Sequence, residues 1–257
     1  MGRCRQAKRS PLKHKALHNP GESLQYEMQE LLEDQVLLPF VVAVMSLTFA
    51  VYEWWRFLVS APPRPFGLTA LAIGVCAWAA RRFFMQRQRY RNLAQGLEGE
   101  KAVGQFLEDL RAEGCRVFHD VVGEGFNVDH VVISPHGIFA IETKTFSKPK
   151  RGEVKATVNG DTVLFNGQAP CRDPIVQARA ARDWVRDLLH ETTGRRFPVR
   201  AVVAVPGWFV ERSNGPKSDV WVLNPKALPA FVQHEPVVLK DEDVALVSSR
   251  LVNHIVQ

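Results

Sequence analysis

The sequence predicts an α/β domain preceded by a two-helix transmembrane hairpin. Two observations lead to this fold class. Two long apolar runs lie in the N-terminal third of the chain, and beyond about residue 92 short strand-like runs alternate with helical patterns. The chain has 257 residues, enough for one domain of ordinary size with appendages. Its hydrophobic content of 46% excludes a disordered protein.

The overall charge favours anionic partners. The formal net charge is +6 and the pI is about 9.3, a balance that suits nucleic acid or a lipid surface. The four cysteines stand apart and form no CxxC pair, which argues against a zinc ribbon and fits a reducing compartment. They are Cys4, Cys76, Cys115 and Cys171.

Four zones follow one another along the chain. Residues 1–35 form a basic N-terminal segment that ends in a short acidic helix at about 23–34, with no secretory cleavage site. Residues 36–85 form the hairpin, residues 92–235 the α/β domain, and residues 236–257 a closing amphipathic helix.

The hairpin is predicted to span a membrane at about 36–55 and 66–85. Residues 36–52 carry no charge, and at about 1.5 Å per residue they cover most of a hydrocarbon core of about 30 Å. Pro39 falls in the first turn of this span, where a missing N–H costs little. Trp54 and Trp55 suit the membrane interface. The second span is shorter and reaches across if the arginines at 81 and 82 extend to the interface.

Basic residues place both termini in the cytoplasm. Five arginines follow the second span: Arg81, Arg82, Arg87, Arg89 and Arg91. The helix-breaking link at 60–65 and its approach carry only Arg56 and Arg64, so the positive-inside rule puts the link outside. The expected location is a bacterial inner membrane, with the α/β domain in the cytoplasm. One span with a re-entrant segment is the alternative, and it would leave the domain outside, against the arginines.

Within the domain, periodicity and turn residues predict an ordered series of elements. They are a helix at 93–114, strands at 115–121, 126–134 and 138–145, a hairpin at 151–165 turning at Asn159–Gly160, a helix at 174–190 capped by Asp173, strands at 199–205 and 220–223, and a helix from about Asp241.

Charged side chains interrupt two of these apolar strands. Asp129 lies in the second strand, and Glu142 and Lys144 lie on one face of the third. If the two strands pair around the turn at 135–137, Asp129 lies near Glu142. Burying such charges costs several kcal/mol unless they are paired or bind a metal, and this cost points to a function.

These residue types suit the cleavage of a phosphodiester. A hard divalent ion neutralises phosphoryl oxygens and activates water, and Mg²⁺ prefers one or two carboxylates with waters. Asp129 and Glu142 provide carboxylates, and the Thr143 carbonyl offers a third oxygen. Lys144 positions the water or helps to deprotonate it. Glu100 completes the shell through water or orients Lys144.

The pattern from Asp129 to Glu142-Thr143-Lys144 resembles the PD-(D/E)xK nuclease superfamily. The segments GLEGE (96–100), NVDHVVISPHGIFAIETK (127–144) and DPIVQA (173–178) resemble the NERD, or nuclease-related, domain over about residues 92–231. The resemblance implies a restriction-endonuclease-like fold, with a mixed central sheet flanked by helices.

The resemblance also implies the functional residues. By this resemblance Lys144 is the catalytic lysine and Gln177 a supporting residue. The metal ligands are Glu100, Asp129 and Glu142. It further implies Mg²⁺ or Mn²⁺, DNA or RNA as substrate, no small-molecule cofactor, and a homodimer where two sites cut two strands. Some relatives have a QxxxY motif, but Ala181 replaces its tyrosine here.

Plainer readings stand beside these. Glu142 and Lys144 also fit a solvated pair, Glu100 a helix surface, and Gln177 an ordinary first turn. His130 points away from Asp129, which favours packing over metal ligation. The basic residues Lys148, Lys150, Arg151 and Lys155 suit either a nucleic-acid backbone or a solvated loop. At the level of function, the alternatives to a nuclease are a silent nucleic-acid-binding or scaffold module and a membrane regulator.

Overall fold

The computed structural model describes residues 17–59, 65–123, 125–146, 154–213 and 218–256. Three predicted features therefore lie outside the described residues: the basic residues at 1–15, the link at 60–64, and most of the basic patch at 148–151. The chain divides into two compact units. One comprises residues 23–97, and the other combines the residues up to Glu22 with those from Glu98 onward.

The first unit contains both candidate membrane helices. Helix α1 (Glu22–Leu32), a π turn (Glu33–Leu37) and helix α2 (Leu38–Leu58) follow one another without a break. Pro39 opens α2, as expected, but within a longer helix. A proline in a helix removes a hydrogen bond and crowds the carbonyl four residues earlier, and the wider π turn directly before it accommodates this.

Helix α3 (Pro65–Ala112) is one continuous helix of 48 residues. The sequence predicts two separate helices here, at 66–85 and 93–114, and the predicted break between them is wrong. Residues 86–92 contain neither glycine nor proline, so nothing in them ends a helix. The expected helix boundary was drawn from a change in hydropathy, which does not break backbone hydrogen bonds.

Three contacts join α3 to the preceding helices as a hairpin. Arg89 pairs with Glu27 at 2.6 Å, Arg82 hydrogen-bonds Gln35, and Trp54 Nε1 donates to Thr69 Oγ1 at 2.9 Å. Residues Glu22–Leu58 and Phe66–Ala112 are both long and apolar enough to cross a membrane. Only 17% and 6% of their most apolar windows are buried, unlike the core helix of a soluble protein.

The second unit is built on a mixed five-stranded sheet. Its strands are β1 (Arg116–Val122), β2 (Asn127–Ser134), β3 (Gly137–Thr143), β6 (Val199–Ala204) and β8 (Trp221–Leu223), in the order β1-β2-β3-β6-β8. The first three strands are antiparallel, whereas β3, β6 and β8 are parallel. A smaller sheet has the order β5-β4-β7, formed by β4 (Lys155–Asn159), β5 (Thr162–Phe165) and β7 (Phe209–Arg212).

Helices cover both faces of the larger sheet. Helices α4 (Pro174–Thr193) and α6 (Asp241–Val256) pack on the face that carries Val131 and Ala140. The C-terminal part of α3 and helix α5 (Leu228–Gln233) pack on the other face, against Val132 and Phe139. The predicted mixed sheet flanked by helices is confirmed.

Local signals placed most elements correctly. Asp173 caps α4 through a 2.9 Å hydrogen bond that its side chain accepts from the Ile175 N–H. The hairpin turn lies one residue later than expected, at Gly160 and Asp161, because Asn159 pairs with Thr162. The short elements β7 and α5 were not predicted.

Gly99 lets α3 approach the end of β3. A Cβ atom at this position would lie 1.9 Å from Thr145 Cγ2 and 3.2 Å from Thr145 Cβ. Only glycine therefore fits without movement of the helix or of the β-branched side chain, which has little freedom to turn aside. The contact holds the neighbouring Glu100 at the end of the strand.

We expect Gly99→Ala to destabilise the protein by about 1–3 kcal/mol, because overpacking outweighs alanine's better helix propensity. Adding Thr145→Ala should recover part of the loss. Gly96→Ala is the matched control on α3, since its Cβ would meet only the flexible Leu24 Cδ1 at 3.3 Å. Thermal denaturation of the detergent-solubilised protein measures all three, and an unchanged melting temperature for Gly99→Ala would show that the close approach is not required.

Candidate active site

The β2–β3 hairpin brings two acidic residues together. His130 pairs with Ile141 in the antiparallel register, so the next pair in the ladder sets Asp129 opposite Glu142 on the same face. The Asp129 Oδ2 atom accepts a 2.6 Å hydrogen bond from the Thr143 N–H. This bond ties the carboxylate of β2 to the backbone at the end of β3.

Lys144 places a positive charge beside one of these acids. Its Nζ lies 2.7 Å from Glu142 Oε1, and both side chains are largely buried, with exposed fractions of 21% and 11%. The Lys144 N–H donates to the Ala204 carbonyl at 2.9 Å, which fixes the backbone just beyond β3 against β6. The pair is thus held by the sheet rather than solvated on a free face.

Glu100 comes to the same place from α3. It is 8% exposed, and its carboxylate accepts a hydrogen bond from the Gly21 N–H. Burial, followed by the negative charges of Asp120 and Glu142, raises the pKa of Glu100 to about 7. Lys144 lowers this pKa only in part, so negative charge is in excess around the carboxylate.

Asp129 also lies in an excess of negative charge. Burial raises the pKa of its carboxyl well above the ordinary value, and the charges of Glu142 and Glu100 add to the effect. The Thr143 N–H and the Lys144 ammonium oppose it. Three carboxylates and one ammonium are therefore electrostatically coupled, although they come from two strands and a helix.

The donor set fits a hard divalent cation, with a restriction. In the part of the chain that the structure describes, no group of three or more histidine, cysteine, aspartate or glutamate side chains is close enough to hold a metal ion. Direct ligation by Glu100, Asp129 and Glu142 together is therefore not assembled. Mg²⁺ needs only one or two carboxylates with waters, and Asp129 and Glu142 meet that need.

Gln177 does not join the acids through a hydrogen bond. It lies in the first turn of α4, which packs on β3, and its buried Oε1 has no hydrogen-bond partner among the residues that the structure describes. The buried Thr143 Oγ1 also lacks a partner. Unsatisfied buried oxygens cost about 1–3 kcal/mol each, so both mark positions for a further polar group.

Asp120 is a residue that the sequence analysis missed. It is 2% exposed, has a φ of 50°, and accepts a 3.0 Å hydrogen bond from Asn127 Nδ2. Its charge is the largest electrostatic cause of the raised Glu100 pKa. The available signal was an acid in the apolar strand 115–121, the same signal that singled out Asp129.

His130 packs in the core, as expected. Its Nδ1 lies 2.9 Å from His119 Nδ1, and the two rings meet edge to face. Burial lowers the pKa of His119 to about 4, and burial followed by the neighbouring His119 lowers the pKa of His130 well below its ordinary value. Both rings are therefore neutral at physiological pH and add no positive charge beside the acids.

Comparison with known proteins adds one match. Residues 95–206 match the family model of the nuclease-related domain, NERD. No curated protein and no solved structure gives a match. The matched range contains Glu100, Asp129, Glu142, Lys144 and Gln177.

The raised pKa of Glu100 predicts a pH-dependent stability. A carboxyl whose folded pKa is raised stabilises the protein fully below its unfolded pKa of 4.5 and loses that contribution as the pH rises through about 7. We expect Glu100→Gln to lack this slope and to be more stable than the parent at pH 8 by about 1–3 kcal/mol. Denaturation from pH 4 to pH 8 without divalent ions tests this, and parallel curves for the two proteins would contradict it.

Proposed function

We propose that the protein is a metal-dependent nuclease that hydrolyses phosphodiester bonds of DNA or RNA, since residues 95–206 match the family model of the nuclease-related domain, NERD. The observation that carries the proposal is the Glu142–Lys144 ion pair at 2.7 Å, set beside Asp129 at the end of β3. Two neighbouring acids with a single ammonium have little structural use, since the charge of Glu142 raises the cost of burying Asp129 and Lys144 offsets only part of it.

In the proposed site, Asp129 and Glu142 hold Mg²⁺ or Mn²⁺. The bound ion would polarise the phosphoryl group and lower the pKa of a water molecule. The Thr143 N–H bonds Oδ2 of Asp129, and Oδ1 would be the metal ligand. The Thr143 carbonyl offers a neutral oxygen close to both carboxylates.

Lys144 acts on the nucleophile and the substrate. Its ammonium neutralises part of the acid cluster and orients an attacking water beside Glu142. As the phosphate enters, the same ammonium stabilises the charge that develops on its oxygens. Glu100 would hold the metal through water, and Gln177 Oε1, which has no hydrogen-bond partner among the described residues, would accept a hydrogen bond from water or substrate.

The two candidate membrane helices support a location of this activity at a lipid surface. The residues up to Glu22 and those from Glu98 onward belong to one compact unit, and the two candidate spans lie between them. Both ends of the hairpin must then lie on the same side of the membrane, which argues against a single span. Together with the arginines after the second span, this supports a multi-pass protein of the bacterial inner membrane with a cytoplasmic nuclease domain.

The alternative is a catalytically silent nucleic-acid-binding or scaffold module. Two observations favour it: three metal ligands do not come together among the described residues, and Ala181 stands where some relatives have tyrosine. In that case the net positive charge would still serve to bind nucleic acid.

Substitutions in the ion pair distinguish the two functions. We expect Glu142→Ala and Lys144→Ala to lower the cleavage rate by about 100-fold or more, because each removes a charged group from the transition state. Arg195→Ala is the matched control, as Arg195 pairs with Asp243 at 2.6 Å just beyond the C-terminal end of α4, whereas Gln177 lies in the first turn of that helix. The assay uses the full chain in detergent with single- and double-stranded DNA and RNA.

The metal provides a second control in the same assay. Cleavage should require Mg²⁺ or Mn²⁺ and stop on addition of a chelator. Binding of nucleic acid by the parent and both variants, with no cleavage at any metal concentration, would establish the silent module instead.

A further inference from the structure

The segment at residues 17–22 lies before the membrane hairpin but packs with the nuclease domain. We call it the N-terminal strap. It belongs to the same compact unit as the chain from Glu98 onward, although about 75 residues separate the two in sequence. Nothing in the proposed chemistry requires this segment, so its contacts call for an explanation.

The strap makes three contacts near the acids. The His18 Nδ1 donates a 2.8 Å hydrogen bond to the Asp120 carbonyl. The Pro20 ring lies over Gly104, where a Cβ atom would be only 2.6 Å from Pro20 Cγ. The Gly21 N–H donates to the Glu100 carboxylate. Since Gly104 is one helical turn after Glu100, the last two contacts lie on one stripe of α3.

The strap holds its own shape. The Asn19 N–H donates to Glu22 Oε2 at 2.8 Å, and the Glu22 N–H donates to the Asn19 carbonyl at 3.2 Å. These reciprocal bonds close a tight turn before α1. Gly21 has a φ of 71°, a conformation that favours glycine and aims its N–H at α3.

We propose that the N-terminal strap is a positioning element of the nuclease site, which fixes Glu100 through the Gly21 N–H. Of the acids in the cluster, Asp129 is fixed by the Thr143 N–H and Glu142 by Lys144, both from β3 itself. Glu100 takes its donor from the strap. The site is therefore complete only when the strap, which precedes the hairpin, is in contact with the domain that follows it.

This inference rests on the proposed function, because a positioned Glu100 matters only if the acids bind a metal. It goes beyond that function by linking the site to the membrane anchor. The strap leads directly into α1, so displacement of this helix would pull on the donor to Glu100. A fragment that begins after the hairpin would lack the strap and should bind metal weakly.

A disulfide tests whether the strap docks, without reference to activity. The full chain carries Pro20→Cys and Gly104→Cys, with its four native cysteines replaced by alanine. A Cβ at Gly104 would lie 3.0 Å from the Cβ of Pro20, so a slight relaxation gives disulfide geometry.

The control pairs Pro20→Cys with Ala112→Cys, an exposed position about 12 Å further along α3. Oxidation in lipid nanodiscs should crosslink the first pair and spare the second. Equal crosslinking of the two pairs, or none, overturns the proposal.

Mn²⁺ affinity, measured by electron paramagnetic resonance, tests the positioning of Glu100. We expect Gly104→Ala to weaken binding by about tenfold, as loss of an outer contact does at metal sites, because the new methyl displaces Pro20. Pro20→Gly in the same chain removes the clash and should restore the affinity. Full affinity in Gly104→Ala, or a loss that Pro20→Gly does not reverse, overturns the proposal.

The two measurements separate the failure of each idea. If the parent protein binds no Mn²⁺, the proposed function falls, and with it the role of the strap in positioning a metal site. The crosslink then still reports whether the strap docks on α3. If the parent binds Mn²⁺ but the crosslink does not form, only the strap proposal falls.

Discussion

Mutual repulsion among partly buried carboxylates is the constraint on which the rest of this domain depends. Glu142 raises the cost of the charge on both Asp129 and Glu100, Glu100 adds to it at Asp129, and Lys144 offsets only part of these effects. Such a cluster lowers the stability of the fold, since replacing buried charges by apolar groups is often neutral or stabilising. The arrangement makes physical sense as a site whose remaining charge is balanced by a bound cation.

The architecture around the cluster opposes that repulsion with backbone donors. The antiparallel β2–β3 hairpin fixes the register that sets Asp129 opposite Glu142, and the Thr143 N–H holds the Asp129 carboxylate. Parallel pairing with β6 then anchors the Lys144 backbone. The close approach of α3 at Gly99 supplies the third acid from outside the sheet. Each acid thus lies on a different element, β2, β3 or α3, and rigid elements hold a site more precisely than loops do.

Sequence reasoning found the parts of this site that obey local rules. The two-residue period of strands and the turn at 135–137 predicted that Asp129 and Glu142 share a face, and hydropathy predicted the hairpin. It did not find the continuity of α3, because a change from apolar to polar composition looks like a boundary. Asp120 gave the same signal as Asp129, an acid in an apolar strand, and was overlooked, whereas the strap was beyond the reach of the sequence for another reason. The hydrogen bond from His18 to Asp120 joins residues 102 positions apart, and no periodic pattern in the sequence predicts such a contact.

Proton release on metal binding tests the central claim most directly. Calorimetric titration of Mg²⁺ into the full chain at pH 6.5, repeated in buffers of different ionisation enthalpy, gives the number of protons displaced. The single acid cluster predicts one bound ion per chain, and the pKa of Glu100, raised to about 7, predicts net proton release at this pH. Asp129→Asn should abolish tight binding. Binding without proton release, or binding that survives Asp129→Asn unchanged, would contradict a metal site at these carboxylates.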